Sequence, residues 1–255
     1  MDFTEFKQEV NRHFGLYLDG YKEPQLKRRI ESLMSSLKVE DYKTYFNLLV
    51  RDNQQWQRFI DKITINVTEF FRNPEIFLRL EKEILPTLIK RHKYLKVWSA
   101  ACADGSEPYS LAILLDELAP GGNHRIDATD IDINALEKAK KGIYNQRAVQ
   151  SVTTSRLKNY FRQENDTFYL NEKIKGMVKF YRKDLLKDHF GSGYHLIVCR
   201  NVVIYFTAPT QEKLYRRFFQ ALAPGGFLFI GATESLFQYK EIGFEKYAPW
   251  FYYRP

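Results

Sequence analysis

Cysteine is scarce in this chain of 255 residues: Cys102 and Cys199 are the only two, and they lie far apart. This spacing excludes a disulfide framework and a cysteine-based metal site, so a reduced, cytoplasmic setting is the default expectation. No apolar run approaches the roughly 18 residues of a membrane-spanning helix. The start MDFTEF is acidic where a secretory signal would be basic, so we expect neither a signal peptide nor membrane insertion. Internal repeats and Gly/Ser-rich linkers are also missing.

The composition is that of an ordinary globular protein with an excess of basic residues. Hydrophobic residues make up 44% and aromatic residues 16%, which is ample material for a core. The 39 basic and 31 acidic residues give a formal charge of +8. The charge is uneven, because segment 97–130 has one basic and six acidic residues, whereas 131–180 has ten basic and five acidic. A basic protein can bind nucleic acid, a membrane surface or an acidic protein, and charge alone does not choose among them.

Residues 1–65 are predicted to form a small all-helical domain. Apolar side chains recur there at helical spacing in four successive stripes, and nothing is typical of a strand. Pro24 stands where an early helix position tolerates proline. The stripes are Phe3, Phe6, Val10 and Phe14; Leu26, Ile30, Leu33 and Leu37; Tyr42, Tyr45, Phe46 and Leu49; and Trp56, Phe59, Ile60 and Ile63.

After a connecting segment and helix over 66–95, strand and helix patterns alternate through 96–255. This alternation predicts an α/β fold with a parallel sheet and right-handed crossovers. The turn APGG is expected to open the fifth strand, and FEKY with WFYYR to form a terminal hairpin. The predicted strands cover 95–101, 124–131, 177–184, 194–201 and 225–233, and the predicted helices cover 109–118, 133–141 and 209–222.

One segment, 142–177, is longer than a crossover loop should be. Within it, VTTSRLKNYF fits a short helix, and DTFYLNEKI alternates like a pair of strands around Asn171-Glu172. We therefore predict a small inserted β-subdomain at the edge of the sheet.

Ligands of open α/β sheets bind beyond the carboxyl ends of the strands. The loop after the first strand, SAACADGSEP, is rich in small residues that let a ligand approach the backbone. It has no GxGxxG pattern, which argues against a pyrophosphate cradle and favours a nucleoside that carries an amino-acid tail. Glu107 would then receive an ammonium group or an ordered water. A plain acidic residue in the first turn of a helix explains Glu107 equally well.

The second predicted strand ends in two acids. An acid at this position commonly accepts hydrogen bonds from ribose hydroxyls, so we assign that role to Asp130. Asp132, two residues on, more often caps the following helix. The alternative is that both are turn residues.

Two further segments mix polar and aromatic residues. In INVTEFFRNPE, residues 65–75, Asn66 and Thr68 can hydrogen-bond, and Arg72 would lie one helical turn beyond Thr68 if the stretch is helical. The alternative is a solvated Arg72 before a helix over 74–91. In CRNVVIYF, residues 199–206, Asn201 and Tyr205 can hold an adenine ring or position a nucleophile, but a buried strand end with an aromatic plug is also common.

The segments INVTEFFRNPEIF, WSAACADGSEPYSLAI, ATDID, CRNVVIYF and GGFLFIGATESL together resemble the CheR-type chemotaxis receptor methyltransferases. Their order and spacing match across essentially the whole chain. The resemblance implies a Rossmann-like sheet that binds S-adenosylmethionine, with an N-terminal helical domain and a small inserted β-subdomain. Two departures are Ser106, where the family often has an acid, and Ala103-Asp104, where a Ser-Thr pair is commoner.

The resemblance also implies the site residues. Arg72 and Tyr205 are the candidates nearest the transferred methyl group, and no metal is expected. The helical segment Lys27, Arg28 and Arg29 is the candidate receptor-docking cluster, with a solvated helix face as the plain alternative. The implied cofactor contacts are Asn66, Thr68, Arg72, Glu107, Asp130, Asp184, Leu185, Asn201 and Val202.

The implied reaction is methylation of glutamate carboxylates on the cytoplasmic helical bundle of chemoreceptors. No nucleic-acid partner is expected, and nothing suggests an obligate dimer, so we expect a monomer. In some family members the inserted subdomain grips a receptor tail peptide, which the sequence does not decide. Two alternatives stay open: an RNA or small-molecule methyltransferase on the same fold, suggested by the +8 charge, and a receptor-binding module that has lost its cofactor.

Overall fold

A computed structural model describes residues 1–64 and 66–255; Ile65, the last residue of the predicted helical domain, lies outside the described residues. The N-terminal part folds into four helices, as the apolar stripes predict: α1 (Phe3–Phe14), α2 (Glu23–Ser36), α3 (Tyr42–Arg51) and α4 (Asn53–Thr64). Their apolar faces pack together around Phe6, Tyr45 and Phe59. Asp2 and Glu5 form a capping box at α1, and Pro24 lies in the first turn of α2.

A bent helical segment leads out of this bundle toward the sheet. It consists of α5 (Pro74–Arg79), a π-helical turn (Leu80–Ile84) and α6 (Leu85–Arg91), so the predicted helix over 74–91 is confirmed in extent. The widened turn stands just before Pro86, whose missing N–H interrupts the regular helical bonding. The buried side of this segment joins the core beneath the sheet.

The second part is built on a seven-stranded sheet with order β6-β2-β1-β7-β8-β10-β9. The first five strands in this order are parallel, and the predicted terminal hairpin, β9 with β10, adds two antiparallel strands. Strand order switches direction between β1 and β7, which is where such sheets bind ligands. The strands are β1 (Lys96–Ala100), β2 (Arg125–Asp130), β6 (Val178–Arg182), β7 (Tyr194–Cys199), β8 (Leu222–Ile230), β9 (Glu245–Ala248) and β10 (Phe251–Tyr253).

Helices cover both faces of this sheet. Alternate residues of each strand face opposite sides: Val97 belongs to the core that includes α7, whereas Trp98 belongs to the core that includes α11. Both faces are therefore apolar, as expected of a buried parallel sheet. The helices are α7 (Ser106–Leu118), α8 (Ile133–Lys141), α11 (Ala208–Ala221) and the short α12 (Tyr239–Ile242).

The start of β8 differs from the prediction. The strand begins at Leu222 and runs through the APGG residues rather than after them. Its pairing with β7 shifts register between Tyr194 and Leu196, and Gly225 has a φ of 79°. The turn sequence therefore makes an irregularity inside the strand, because β7 and the antiparallel β10 flank it and hold it in the sheet.

The inserted segment is confirmed as a small β-subdomain, but its hairpin turn was predicted at the wrong place. Its three-stranded sheet has order β3-β5-β4, and α9 (Thr154–Tyr160) precedes β4. The turn lies at Asn165-Asp166, where Asn165 adopts a φ of 51°. Asn171 instead caps α10 (Glu172–Gly176) by accepting a hydrogen bond from the Ile174 amide. The strands are β3 (Ile143–Asn145), β4 (Phe161–Glu164) and β5 (Thr167–Leu170).

The helical bundle is tied to the sheet by a short backbone clasp. Tyr21 and Phe206 form an antiparallel bridge, and their rings pack edge to face at 5.0 Å. The Lys22 amide donates to the Tyr205 carbonyl at 2.9 Å, and the Thr207 amide donates to the Gly20 carbonyl at 2.9 Å. The clasp places the start of α2 beside the carboxyl ends of the strands.

Across residues 1–64 and 66–255, no helix is both long and apolar enough to cross a membrane.

Candidate active site

A cavity lies at the carboxyl ends of β1, β2, β6 and β7, closed on one side by the helical bundle. The structure brings all the predicted cofactor-contacting residues to its wall, together with Tyr205. Those residues are Asn66, Thr68, Arg72, Glu107, Asp130, Asp184, Leu185, Asn201 and Val202. Their gathering follows from the parallel sheet, because segments that are distant in sequence end at one edge.

The loop after β1 turns sharply against the cavity. Ala101 and Ala103 have positive φ values of 64° and 47°, and Gly105, at 87°, precedes α7. The Ala103 amide donates to an Asp130 oxygen at 2.8 Å. The small residues Ala101, Cys102 and Ala103 of this loop line the cavity, and the Cys102 side chain is buried.

The two acids after β2 have separate roles. The Asp132 carboxylate caps α8 by accepting from the Asn134 and Ala135 amides, which confirms the predicted cap. It also accepts from the Asn66 side-chain amide at 2.6 Å, so Asn66 is fixed at the cavity wall by its neighbour. Asp130 is buried and accepts from the Ala103 and Asp132 amides. Burial raises the pKa of Asp130 to about 6.

Glu107 is more than a helix-start acid, because it forms a buried ion pair that the sequence analysis missed. One carboxylate oxygen accepts from the Ser99 hydroxyl at 2.8 Å, and the other lies 3.5 Å from an Arg200 guanidinium nitrogen. Both side chains line the cavity. Burial raises the pKa of Glu107, and the charge of Arg200 opposes that rise. The available signal was an arginine directly after an apolar strand.

Arg200 also reaches the segment that carries Arg72. Its guanidinium donates to the Arg72 carbonyl at 2.9 Å and to the Asn73 side-chain oxygen at 2.8 Å, and it lies over the Phe229 ring at 4.7 Å. Arg200 thus joins three segments that are far apart in sequence: the start of α7, the end of β7 and the loop before α5. A cation in this position is stabilised by its acid, its carbonyl partner and the ring.

The loop before α5 is irregular, so the conditional helical spacing between Thr68 and Arg72 does not hold. Arg72 folds back and donates to the Val67 carbonyl at 2.9 Å. Arg72 is half-buried at the cavity wall, so the alternative of a solvated Arg72 holds for only part of its side chain, whereas the helix over 74–91 of that alternative is present. The Phe71 amide donates to the buried Ser110 hydroxyl at 2.9 Å, which anchors the loop on α7.

The segment after β7 presents Asn201 and Tyr205 to the cavity. Asn201 has a φ of 60°, and its side-chain oxygen is buried without a hydrogen-bond partner in the described part of the chain. Tyr205 closes a short 3₁₀ turn, Val203–Tyr205. The Arg29 guanidinium lies over its ring, 4.6 Å from the centroid.

Asp184 and Leu185 follow β6 on the other side of the site. Asp184 accepts from the Leu186 amide at 2.8 Å, and its second oxygen is buried with no partner among the described residues. Burial raises the pKa of Asp184. Asp184 lines the cavity, and a buried carboxylate oxygen without a partner is suited to a donor such as a ligand hydroxyl or amino group.

The predicted docking cluster divides into two parts. Lys27 and Arg28 are exposed on α2, whereas Arg29 is half-buried and points inward. Arg29 donates to the Ile63 carbonyl at 3.1 Å and stacks on Tyr205. The sequence analysis also missed Tyr21, which reaches the cavity from the helical bundle. Its only signal was an aromatic residue before Lys22, which carries no spacing information.

No group of three or more His, Cys, Asp and Glu side chains in the described ranges could hold a metal ion.

The cavity at the carboxyl edge of a parallel sheet defines a ligand-binding α/β protein, and comparison with family models gives its class, the S-adenosylmethionine-dependent methyltransferases. Residues 66–248 match the model of the CheR methyltransferase SAM-binding domain, and residues 1–64 match that of the CheR methyltransferase all-alpha domain. The chain therefore belongs to the CheR methyltransferase family, as its sequence motifs predict.

Curated relatives agree with this assignment. The chain is 38% identical over 252 residues to a chemotaxis protein methyltransferase of Listeria monocytogenes, covering 98% of this chain and 96% of the relative. It is 33% identical to that of Escherichia coli, covering 91% and 84%. It is 32% identical to that of Salmonella typhimurium, covering 91% and 83%.

Proposed function

We propose that this protein transfers the methyl group of S-adenosylmethionine to glutamate side chains of chemoreceptors, forming methyl esters and leaving S-adenosylhomocysteine as the second product. The observation that carries the proposal is the row of charged side chains along the cavity. Glu107 and Arg200 lie at one side, and Asp130 and Asp184 lie at the other, on consecutive strands of the parallel sheet. The family membership supplies the reaction class.

The residues present fit the cofactor. From β6 through β2 and β1 to β7 the sheet edge spans three strand spacings, or about 14 Å. This width suits an extended ligand with a nucleoside at one end and an amino acid at the other. Asp130 would accept from ribose hydroxyls, Glu107 would receive the ammonium group, and Arg72 would face the carboxylate.

The chemistry needs little from the protein besides placement. The bound sulfonium supplies an electrophilic methyl group. A glutamate acceptor is already ionised at neutral pH, because its ordinary pKa is about 4.3, so no general base is required. In this proposal the Arg72 guanidinium, which would face the cofactor carboxylate, would also orient the acceptor carboxylate, and the Tyr205 hydroxyl would hold one acceptor oxygen and leave the other facing the methyl group. Alignment of this kind can supply about 7–11 kcal/mol of the barrier.

The receptor would dock beside the exposed face of α2. Lys27 and Arg28 offer positive charge to an acidic helical partner. They lie two residues and one residue before Arg29, in the same turn of α2, and Arg29 itself lies over the Tyr205 ring at the proposed reaction centre. We expect the contribution of these two residues to be electrostatic and therefore sensitive to salt.

The test is methyl transfer from radiolabelled S-adenosylmethionine, with receptor-containing membranes and total RNA as parallel acceptors. The proposal predicts base-labile label on the receptor band, because carboxyl methyl esters hydrolyse in mild base. Label in RNA, or base-stable label in protein, would contradict the substrate assignment and favour the alternative of an RNA methyltransferase.

Charge-reversal variants test the docking surface. Lys27→Glu with Arg28→Glu should raise the receptor KM while leaving S-adenosylhomocysteine binding unchanged. Lys43→Glu, an exposed lysine on α3, is the matched control and should change neither quantity. An unchanged receptor KM in the double variant would show that α2 is not part of the docking surface.

A further inference from the structure

Glu234 is a buried acid that the proposed reaction does not use. It lies in the loop after β8, is only 5% exposed, and is not part of the cavity wall. One carboxylate oxygen accepts from the amides of Val202, at 3.1 Å, and Val203, at 2.9 Å. The other accepts from the Gly231 amide at 2.6 Å. Its described partners are thus backbone N–H groups, which stabilise a buried carboxylate without a cation.

These bonds hold the segment that faces the cofactor cavity. Asn201 adopts a left-handed backbone conformation with a φ of 60°, which is costly for a residue with a side chain. The next two amides are those that Glu234 binds, and the 3₁₀ turn ending at Tyr205 follows directly. A chain in such a conformation persists only when its surroundings fix it.

The close approach of the two loops depends on Gly231. A Cβ at Gly231 would lie 2.8 Å from a Glu234 carboxylate oxygen and 2.9 Å from the Asn201 backbone nitrogen. Both are shorter than real Cβ contacts, so only glycine lets the carboxylate and the Asn201 segment meet. Gly231 and Glu234 therefore form a clamp around the backbone of Asn201–Val203.

We propose that Glu234 is a positioning residue, which places Asn201 and Val202 for cofactor binding and Tyr205 for methyl transfer by clamping the backbone of 202–203. This inference rests on the proposed function, because it concerns the same cofactor site. Glu234 itself touches neither cofactor nor acceptor.

The isosteric variant Glu234→Gln tests the clamp. One of its two terminal atoms becomes an NH₂ donor, which must face either Gly231 N–H or the pair of amides at 202 and 203. Donor facing donor removes the bond and leaves a buried N–H unpaired. We expect the dissociation constant of S-adenosylhomocysteine, measured by calorimetry well below the melting temperature, to rise at least about tenfold. Glu241→Gln, an exposed glutamate on α12, is the control and should bind as the wild type does.

A double-mutant cycle separates positioning from general destabilisation. If Glu234 acts through the 201–203 segment, then adding Glu234→Gln to Asn201→Ala should weaken binding far less than it does in the wild type. Full additivity of the two effects would overturn the proposal. Lowered stability alone would not produce such coupling between these two positions.

The remaining outcomes are also decisive. Wild-type affinity in Glu234→Gln would overturn the inference and leave the proposed function intact, whereas a wild-type protein that does not bind S-adenosylhomocysteine would refute the proposed function itself. If Glu234→Gln does not fold, Glu234→Asp replaces it, because its shorter carboxylate keeps the charge but reaches only one set of amides. Hydrogen exchange should then show lost protection at the 202–203 amides or at the Gly231 amide, with the strands still protected. Unchanged protection at all three amides would refute the clamp.

Discussion

Replacing Arg200 by methionine should destabilise the protein more than any surface substitution, because it leaves the buried Glu107 carboxylate without its cation. Arg200 and Glu107 have side-chain exposures of 2% and 11%, and their charged groups lie 3.5 Å apart. Arg200→Met removes the cation and also the hydrogen bonds to the Arg72 carbonyl and the Asn73 side chain. Among the residues that the structure describes, Glu107 would keep the Ser99 hydroxyl as its one hydrogen-bond donor.

The magnitude follows from the burial of the pair. Removing one partner of a buried ion pair costs about 3–5 kcal/mol. For a protein of this size that corresponds to a fall in melting temperature of about 6–20 °C. Arg216→Met is the matched control: Arg216 pairs with Glu212 on the exposed surface of α11, and breaking such a pair costs about 0–1 kcal/mol.

The pH dependence gives a second readout of the same change. Without Arg200, the pKa of Glu107, which burial already raises, should rise further above that of an exposed glutamate. A carboxylate with a raised pKa in the folded state binds its proton more tightly there, so stability falls as pH rises above the unfolded value. The loss of stability caused by Arg200→Met should therefore be smallest near pH 5 and should increase toward pH 8. It should also shrink in Arg200→Met with Glu107→Gln, where no buried charge is left.

These expectations are checked by thermal unfolding between pH 5 and 8 of four proteins: the wild type, Arg200→Met, Arg216→Met, and Arg200→Met with Glu107→Gln. A melting temperature of Arg200→Met equal to that of Arg216→Met at every pH would refute the assignment of Arg200 and Glu107 as a buried, mutually dependent pair.

Three further predictions concern the cavity. The pKa of Asp130 is raised to about 6. If its ionised form accepts the ribose hydroxyls, the affinity for S-adenosylhomocysteine, measured by calorimetry, should be constant above pH 6 and should fall below pH 6, approaching a tenfold loss per pH unit. An affinity that is constant from pH 5 to 7.5 would contradict that role. Gly105→Ala adds a Cβ 2.8 Å from the Ala139 side chain of α8 at a φ of 87°, and it should lower the free energy of unfolding in urea by about 2–4 kcal/mol. Gly121→Ala is the control, because its φ of 75° is also positive but its Cβ would meet open space, so it should cost less. Arg29→Met removes the cation over Tyr205 and should lower kcat with little change in cofactor affinity; a wild-type kcat would place Arg29 outside the reaction centre.

Periodicity predicted the type and order of the main local elements, although not the start of β8 or the turn of the inserted hairpin. The apolar stripes of residues 1–64, the short buried runs of the sheet and the cap at Asp132 each depend on neighbours within a few residues. The misplaced hairpin turn shows the limit of such signals. Asn165-Asp166 and Asn171-Glu172 both look like turns, and the choice depends on which asparagine caps α10.

The site was predictable only in part, for a topological reason. Acids and amides at strand ends were expected to meet because parallel strands end at one edge. The pairing of Glu107 with Arg200 was not predicted. Arg200 follows β7, and no local sequence pattern indicates that β7 lies beside β1. Tyr21 likewise reaches the cavity only through the backbone clasp between the bundle and the sheet.

The most direct test of the central claim is mass spectrometry of a receptor cytoplasmic fragment after incubation with the protein and S-adenosylmethionine. The account predicts a mass increase of about 14 Da on glutamate side chains, reversed by mild base, because the ionised carboxylate is the nucleophile. Methylation of lysine or arginine nitrogens, or an unmodified receptor beside methylated RNA, would contradict it.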